Sequence, residues 1–251
     1  MPDRRLHTFD EAIDGIESGM TIIVGGFGAA GVPLHLLAAI RARGLTDLTV
    51  ISNNAGFGGP DLTSWIEARM VRRVICSYPR TSPACIAQWK AGAIEIEVVP
   101  QGTLAERLRA GGAGIPAFFT PGGVGTQVAL GGLPLRYAAD GSIAVASKPK
   151  EVRSFDGSDY VLERAIVCDF ALVHARYGDR HGNLVYEKSA QNFNPLCAAA
   201  GRVTIAEVEQ VVEPGELDPA LVHTPGVFVQ RVVQVAPADL DKRIERRTIR
   251  A

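Results

Sequence analysis

The sequence predicts an α/β protein: an open, mostly parallel sheet with helices on both faces and a small β insert. Three observations predict it. Short apolar, β-branched runs recur along the chain, the continuous pattern of parallel strands covered on both sides. Segments with apolar residues at helical spacing alternate with them. The first strand–helix–strand set closes within about thirty residues, the length of a βαβ unit.

The elements follow in order. Thr8 to Ser18 reads as a helix, with Phe9, Ala12, Ile13 and Ile16 at helical spacing. Thr21–Val24 is a short strand that ends at a glycine cluster. Pro33 suits the first turn of a helix whose buried face is Leu34, Leu37 and Ile40, and Gly44 suits its left-handed cap. Leu48–Ser52 is the second strand. Val71–Tyr78 is a strand, Ser82–Lys90 a helix, Ile94–Val99 a strand and Thr103–Arg109 a short helix. Two glycine-rich loops follow, Ala110–Pro116 and Thr120–Thr126. From Gly131 to Tyr160 the helical period gives way to short β-like pieces, expected to form an insert covering the site. Ala165–His174, Leu184–Tyr186, Val203–Val212 and Val227–Val235 resume the strand pattern.

At 251 residues, without repeats or a linker, the chain is expected to be one domain over 1–251, with about 237–251 as a charged surface tail. A net charge of −1 excludes a nucleic-acid binder held by backbone phosphates. The four cysteines contain no C-x-x-C pair, so neither a disulfide framework nor a metal site is expected. The charged start, Met1 to Asp10, and the lack of a long apolar run point to no leader, no membrane and a cytoplasmic location.

Gly26-Phe-Gly-Ala-Ala-Gly31 follows a strand and precedes a helix, the dinucleotide pattern. That pattern also needs an acidic residue about 20 residues on, at the end of the second strand. Here the strand ends in Ser52-Asn53-Asn54, amides in place of a carboxylate. The turn's N–H groups and the positive end of the next helix would favour an anionic ligand, while glycines packed purely for structure remain the alternative.

Asn53 and Asn54 stand where strand-end loops build ligand sites, and either donates to an oxyanion or braces its own turn. Gln101 lies beyond another strand with two donors and one acceptor. His181 reads as structural and Glu106 as part of a solvated face beside Arg107. No Ser/His/Asp order, H-E-x-x-H or phosphate-binding lysine loop is present. An anion cradle and amide-rich strand ends without a nucleophile amount to half an active site, which points to a partner chain.

Gly25-Gly-Phe-Gly-Ala-Ala-Gly-Val-Pro33 resembles the first signature of the family I coenzyme A transferases. Ser52–Gly56, Pro100–Arg107, Gly111–Pro116, Phe155–Gly157, Tyr160–Glu163, Gly182–Tyr186, Asn192–Pro195, Gly215–Pro219 and Thr224–Gly226 are similar to later blocks in the expected order. The resemblance runs from about residue 8 to 235. It is to the α-type chain of these enzymes, nearest to those of 3-oxoadipate and other 3-oxoacid transferases. Ser18 departs from the signature's Asp or Asn. Glu187 and Gln191 stand where the family tends to carry Arg, which bears on the acid accepted.

The resemblance implies a β-type partner bearing the catalytic glutamate in a Ser-Glu-Asn-Gly context, absent from this chain. It implies ping-pong transfer of CoA from succinyl-CoA to a 3-oxo acid, 3-oxoadipate first and acetoacetate next, in an αβ or α2β2 assembly. The CoA thioester is a substrate, and no tightly bound cofactor is expected. Gln101, Asn53 and Asn54 become the candidates for oxyanion support. Gly25, Gly26, Phe27, Gly28, Ala29, Ala30 and Gly31 would approach CoA. Two competing readings are an NAD-dependent oxidoreductase, from the glycine pattern alone, and a non-catalytic ligand-binding regulator.

Overall fold

The computed structural model describes residues 2–240. Its elements run β1 (Arg5–Leu6), α1 (Phe9–Ala12), β2 (Thr21–Val24), α2 (Leu34–Ala42), β3 (Leu48–Ser52), α3 (Thr63–Glu67) and β4 (Val71–Cys76). They continue with α4 (Pro83–Lys90), β5 (Glu95–Val98), α5 (Gln101–Gly112), β6 (Ala117–Thr120), α6 (Gln127–Leu130), β7 (Pro134–Tyr137) and β8 (Ile143–Ala146). The last are β9 (Val152–Phe155), β10 (Ser158–Arg164), β11 (Cys168–Asp179), β12 (Leu184–Val185), α7 (Asn194–Ala200), β13 (Gly201–Val212) and β14 (Arg231–Gln234).

The main sheet has the order β1-β14-β13-β11-β2-β3-β4-β5, parallel throughout, with β12 antiparallel on β11. Strand residues alternate between two cores, as a pleat with period two demands. Ile22, Val24, Val50, Val74, Leu172 and Ile205 join α1 to α4 in one. Ile23, Ile51, Ile75, Ala171, Val173 and Ala206 join α5 and α7 in the other. The predicted parallel sheet with helices on both faces is the observed one. Among the described residues no helix is long and apolar enough to cross a membrane.

The local chemistry explains the boundaries. Thr8 and Glu11 form a reciprocal capping box at the start of α1, and Gly15 at φ +79° follows its end, so this helix is shorter than expected. Pro33 is the residue before α2 rather than its first turn. Gly44 is left-handed at φ +63°, just past the helix end, as expected. The sequence pattern did not reveal α3, whose buried Trp65 donates from Nε1 to Leu37 O at 2.8 Å.

Helix α5 runs on into the expected glycine loop, because Gly111 and Gly112 are contact points. A β-carbon on Gly111 would overlap Ile166 O, and one on Gly112 would stand 2.6 Å from the Ala199 β-carbon. These glycines serve close helix packing. The β insert exists and is wider than 131–160, since β6 pairs with β10. It does not cover the glycine turn. Trp89 Nε1 on α4 donates to Leu135 O at 3.0 Å, and Arg107 on α5 to Arg164 O at 2.8 Å, seating the insert at the β5 edge. The charged tail expected over 237–251 lies, from residue 241, outside the described residues.

Candidate active site

The chain proceeds from β2 outward through β3, β4 and β5, then returns with β11 on the other side of β2. Sheet order therefore reverses between β2 and β11, and the carboxyl ends flanking such a point form the crevice where α/β sheets bind ligands. The turn Gly25–Gly31 leaves β2 at that crevice and is tied to β11, Gly25 N donating to Leu172 O at 2.9 Å.

Phe27 and Ala30 exchange backbone hydrogen bonds of 3.1 and 3.2 Å, making a small hairpin with Gly28 and Ala29 at its tip. The segment before and into α7 clasps it. Asn192 donates to Ala30 O at 3.1 Å and Asn194 to Gly31 O at 3.0 Å, while Phe193 lies 6.0 Å from Phe27, ring to ring. The clasp explains the buried glycines: a β-carbon on Gly25 would overlap Asn194 Oδ1, and one on Gly31 would sit 2.5 Å from its Nδ2. Gly28 differs. It is left-handed at φ +63° and a β-carbon there meets nothing within 4 Å. Three glycines of the motif answer to the protein's own packing, Gly26 through Val32, and only Gly28 opens outward.

The expected anion cradle needs correction. Glu207 on β13, fully buried, accepts from His35 N and Leu36 N at 2.9 Å each. Leu34 N and Leu37 N donate to Val32 O and Pro33 O. The positive end of α2 is thus occupied by an internal carboxylate instead of being open to a ligand phosphate. Sequence reasoning passed over Glu207. The signal was a carboxylate interrupting an apolar strand run.

Glu207 begins a polar chain that leads outward. His174 Nδ1 lies 3.3 Å from Glu207 Oε1 and its Nε2 3.3 Å from Glu209 Oε1. Arg176 pairs with Glu209 at 3.4 Å and Glu187 at 2.7 Å. His174 N also donates to Asn194 Oδ1 at 3.3 Å, linking this chain to the clasp.

Of the strand-end amides, Asn54 joins Gly25, Gly26, Gly28 and Ser52 in lining one narrow cleft. Its Oδ1 accepts from Gly56 N at 2.8 Å, the turn-bracing use, and its Nδ2 donates to Asn53 Oδ1 at 3.5 Å, which leaves the second Nδ2 hydrogen to serve a ligand. Asn53 is buried, and its backbone carbonyl accepts from Ser77 and Tyr78. Asp61 also lines the cleft, but its two oxygens accept from Phe57 N at 2.6 Å and Thr63 N at 2.8 Å. Gln101 is exposed at the first position of α5 rather than on a loop. It follows β5, three strands from β2, about 14 Å away at normal strand spacing. The structure brings Asn54 to the glycine turn, with Gln101 farther along the same edge.

The backbone N of His181 donates to Asp179 at 2.9 Å, and its ring Nδ1 lies 3.3 Å from Pro2 O in an exposed contact. Glu106 pairs on the exposed face of α5 with Arg109 at 2.6 Å. Arg107 instead joins Glu97 at 2.8 Å. Burial alone would raise the Glu97 carboxyl. The charges and hydrogen bonds of Arg107 and Arg73 more than offset that and hold it below the usual range.

A glycine turn at the switch point with strand-end amides beside it defines an α/β ligand-binding scaffold, and residues 6–235 match the coenzyme A transferase family. The chain belongs to that family. Over 249 residues it is 58% identical to the A-type chain of the probable succinyl-CoA:3-ketoacid coenzyme A transferase of Mycobacterium tuberculosis, covering 99% of each. It is 48% identical to the corresponding A-type chain of the 3-oxoadipate CoA-transferase of Pseudomonas putida, over 95% of this chain and 96% of that one. An acyl-CoA transferase of Escherichia coli O157:H7 shares the fold at TM-score 0.76 and 24% identity, and this chain covers 47% of its length.

Proposed function

We propose that this chain is the α-type half of a two-chain 3-oxoacid CoA-transferase that moves CoA from succinyl-CoA to a 3-oxo acid. 3-Oxoadipate is the favoured acceptor and acetoacetate the next, in an αβ or α2β2 assembly. The observation that carries the reading is a cleft at the switch point that holds amides but no committed nucleophile: Asp61, the one carboxylate among the described residues lining it, is bound to two backbone amides, and no His or Lys stands there to activate Ser52. The coverage of the E. coli enzyme, about half its length, supports a second chain supplying the remainder. So does the carboxyl edge of the sheet, where Phe27, Phe57, Tyr78 and Val98 follow or end β2, β3, β4 and β5 and are 46, 50, 54 and 46% exposed. An apolar row of this kind suits a protein partner.

In this reading a glutamate of the partner attacks the thioester carbonyl, CoA leaves as thiolate and a mixed anhydride forms. The thiolate then attacks the glutamyl carbonyl, releasing succinate and leaving the glutamyl-CoA thioester. The acceptor carboxylate next attacks that thioester, expelling CoA thiolate and forming a second anhydride. The thiolate attacks its acyl carbonyl, giving the new acyl-CoA and freeing the glutamate. Each attack builds an oxyanion. Asn54, Asn53 and Gln101 serve as its donors from this chain, and Gly25–Gly31 as one wall of the CoA site, with Phe27, Ala29 and Ala30 at its rim. No resident cofactor is required.

Purified together with its β-type partner, the chain should transfer CoA from succinyl-CoA to 3-oxoadipate or acetoacetate, and alone it should be nearly inactive. Robust transfer by the isolated chain would refute the split site. Asn54→Ala and Gln101→Ala should each lower kcat by about 100–1,000-fold with the assembly intact.

A further inference from the structure

We infer that the glycine turn receives the uncharged middle of the CoA thioester, the amide-bearing pantetheine arm, and not the phosphates of the nucleotide. The inference rests on the reading of this turn as a wall of the CoA site. Its basis is local charge. A phosphate needs free donors or cations, and a helix N-terminus is the usual supplier after a glycine turn. Here the first-turn amides of α2 are consumed, His35 N and Leu36 N by Glu207, and Leu34 N and Leu37 N by Val32 O and Pro33 O.

The cleft itself adds no compensating charge. Among the described residues lining it none is Lys, Arg or His, and its one ionisable side chain is the carboxylate of Asp61. A dianionic phosphate here would face Asp61 at the cleft wall and Glu207 behind the helix end. An amide-bearing, neutral arm meets what the site offers instead: the outward-facing Gly28 and the Asn54 amide hydrogen not given to Asn53. Glu207 is then a positioning residue. It pins α2 and the turn from within while making the site unsuited to anions.

The test uses the assembled enzyme and two substrates, succinyl-CoA and succinyl-pantetheine, which lacks the nucleotide. Gly28→Val and the milder Gly28→Ala should raise KM for both substrates by the same factor, about tenfold for Val. Loss confined to succinyl-CoA would overturn the inference and keep the turn as a CoA wall. No loss with either substrate would overturn both. Glu207→Gln should raise KM for both substrates, and tighter binding of succinyl-CoA alone would mean that the turn holds phosphates. Independently of any variant, pantetheine should slow hydrogen exchange at residues 26–31 of the unmutated enzyme. Adenosine 3′,5′-bisphosphate should not, and the reverse pattern would overturn the inference.

Discussion

Replacing Glu207 tests how the glycine turn is held. The carboxylate is fully buried and accepts two amides, His35 N and Leu36 N, at 2.9 Å each. Glu207→Ala leaves one buried donor, Leu36 N, and one part-buried donor, His35 N, without their acceptor, at about 1–3 kcal/mol each. It also removes the counter-charge at the end of α2, worth up to about 2 kcal/mol in a partly buried setting. Allowing for relaxation and water entry, we expect a loss of about 3–5 kcal/mol, the range for breaking a buried charged network. Glu207→Gln keeps an oxygen for the amides but loses the charge, and should cost about 1–2 kcal/mol. With about 2–4 °C per kcal/mol at this size, Tm should fall about 6–20 °C for Ala and about 2–8 °C for Gln.

The assay is a urea or thermal melt followed by tryptophan emission. Trp65 is buried and donates to Leu37 O on α2 at 2.8 Å, so it reports the seating of the helix that Glu207 anchors. A Glu207→Ala protein within about 1 kcal/mol of wild type, with native emission, would refute the anchoring role.

Other substitutions separate function from strain. Gly28 and Gly44 both sit at φ +63° with nothing within 4 Å of an added β-carbon. Gly28→Val and Gly44→Val should therefore each cost about 1–2 kcal/mol from left-handed strain, yet only the former should raise KM for succinyl-CoA, and equal KM values would remove Gly28 from the site. Glu97, held low by Arg107 and Arg73, contributes stability that is present above the ordinary carboxylate pKa and lost as pH falls through its lowered value. Glu97→Gln should accordingly cost about 1–2 kcal/mol at pH 7, with the gap to wild type closing below about pH 4 in acid melts, and a gap that widens on acidification would contradict the ion-pair account. Burial pushes the Cys76 and Cys85 thiols up to about 12 and raises Cys168 and Cys197 as well, so a thiol reagent at pH 8 should label none of the four in the folded chain and all four in denaturant.

Much of this architecture was legible because its signals are local. The β-branched runs at Thr21–Val24 and Leu48–Ser52 are buried central strands, and the glycine at 44 ends its helix as the chemistry of left-handed caps dictates. The failures share a physical cause. Gly111 and Gly112 look like loop residues, but their role is set by Ile166 and Ala199, distant in sequence. The reach of the insert depends on β6 pairing with β10, a contact of more than forty residues' separation that no local pattern announces. Within the site, the strand-end position of Asn54 followed from the βαβ reading, Gln101 opens α5 where a loop was expected, and the reason for Gly25 and Gly31 lay in Asn194. Glu207 follows the same rule: a carboxylate on an apolar strand stands out in the sequence but gains its meaning only when the N-terminus of α2 is brought against it.

Assigning the turn's donors also constrains where chemistry takes place. Were the N-terminus of α2 open, the glycine turn would offer both a binding cradle and a positive field, and reaction at that point would be favoured by this chain alone. With Glu207 seated there, the turn supplies shape and neutral contacts, and Asp61 is tied into its loop. In the proposed reading, stabilisation of an oxyanion comes from amides such as that of Asn54, and from groups of the partner chain. The exposed apolar residues at and beyond the ends of β2 to β5 run along that same edge. A partner docked on them would bring its own residues over the cleft and exclude water from it, which strengthens neutral hydrogen bonds to a developing charge. The internal carboxylate and the unfinished apolar rim therefore lead to one expectation: the reacting carbonyl lies at the interface of two chains, with the glycine turn holding the arm that delivers it.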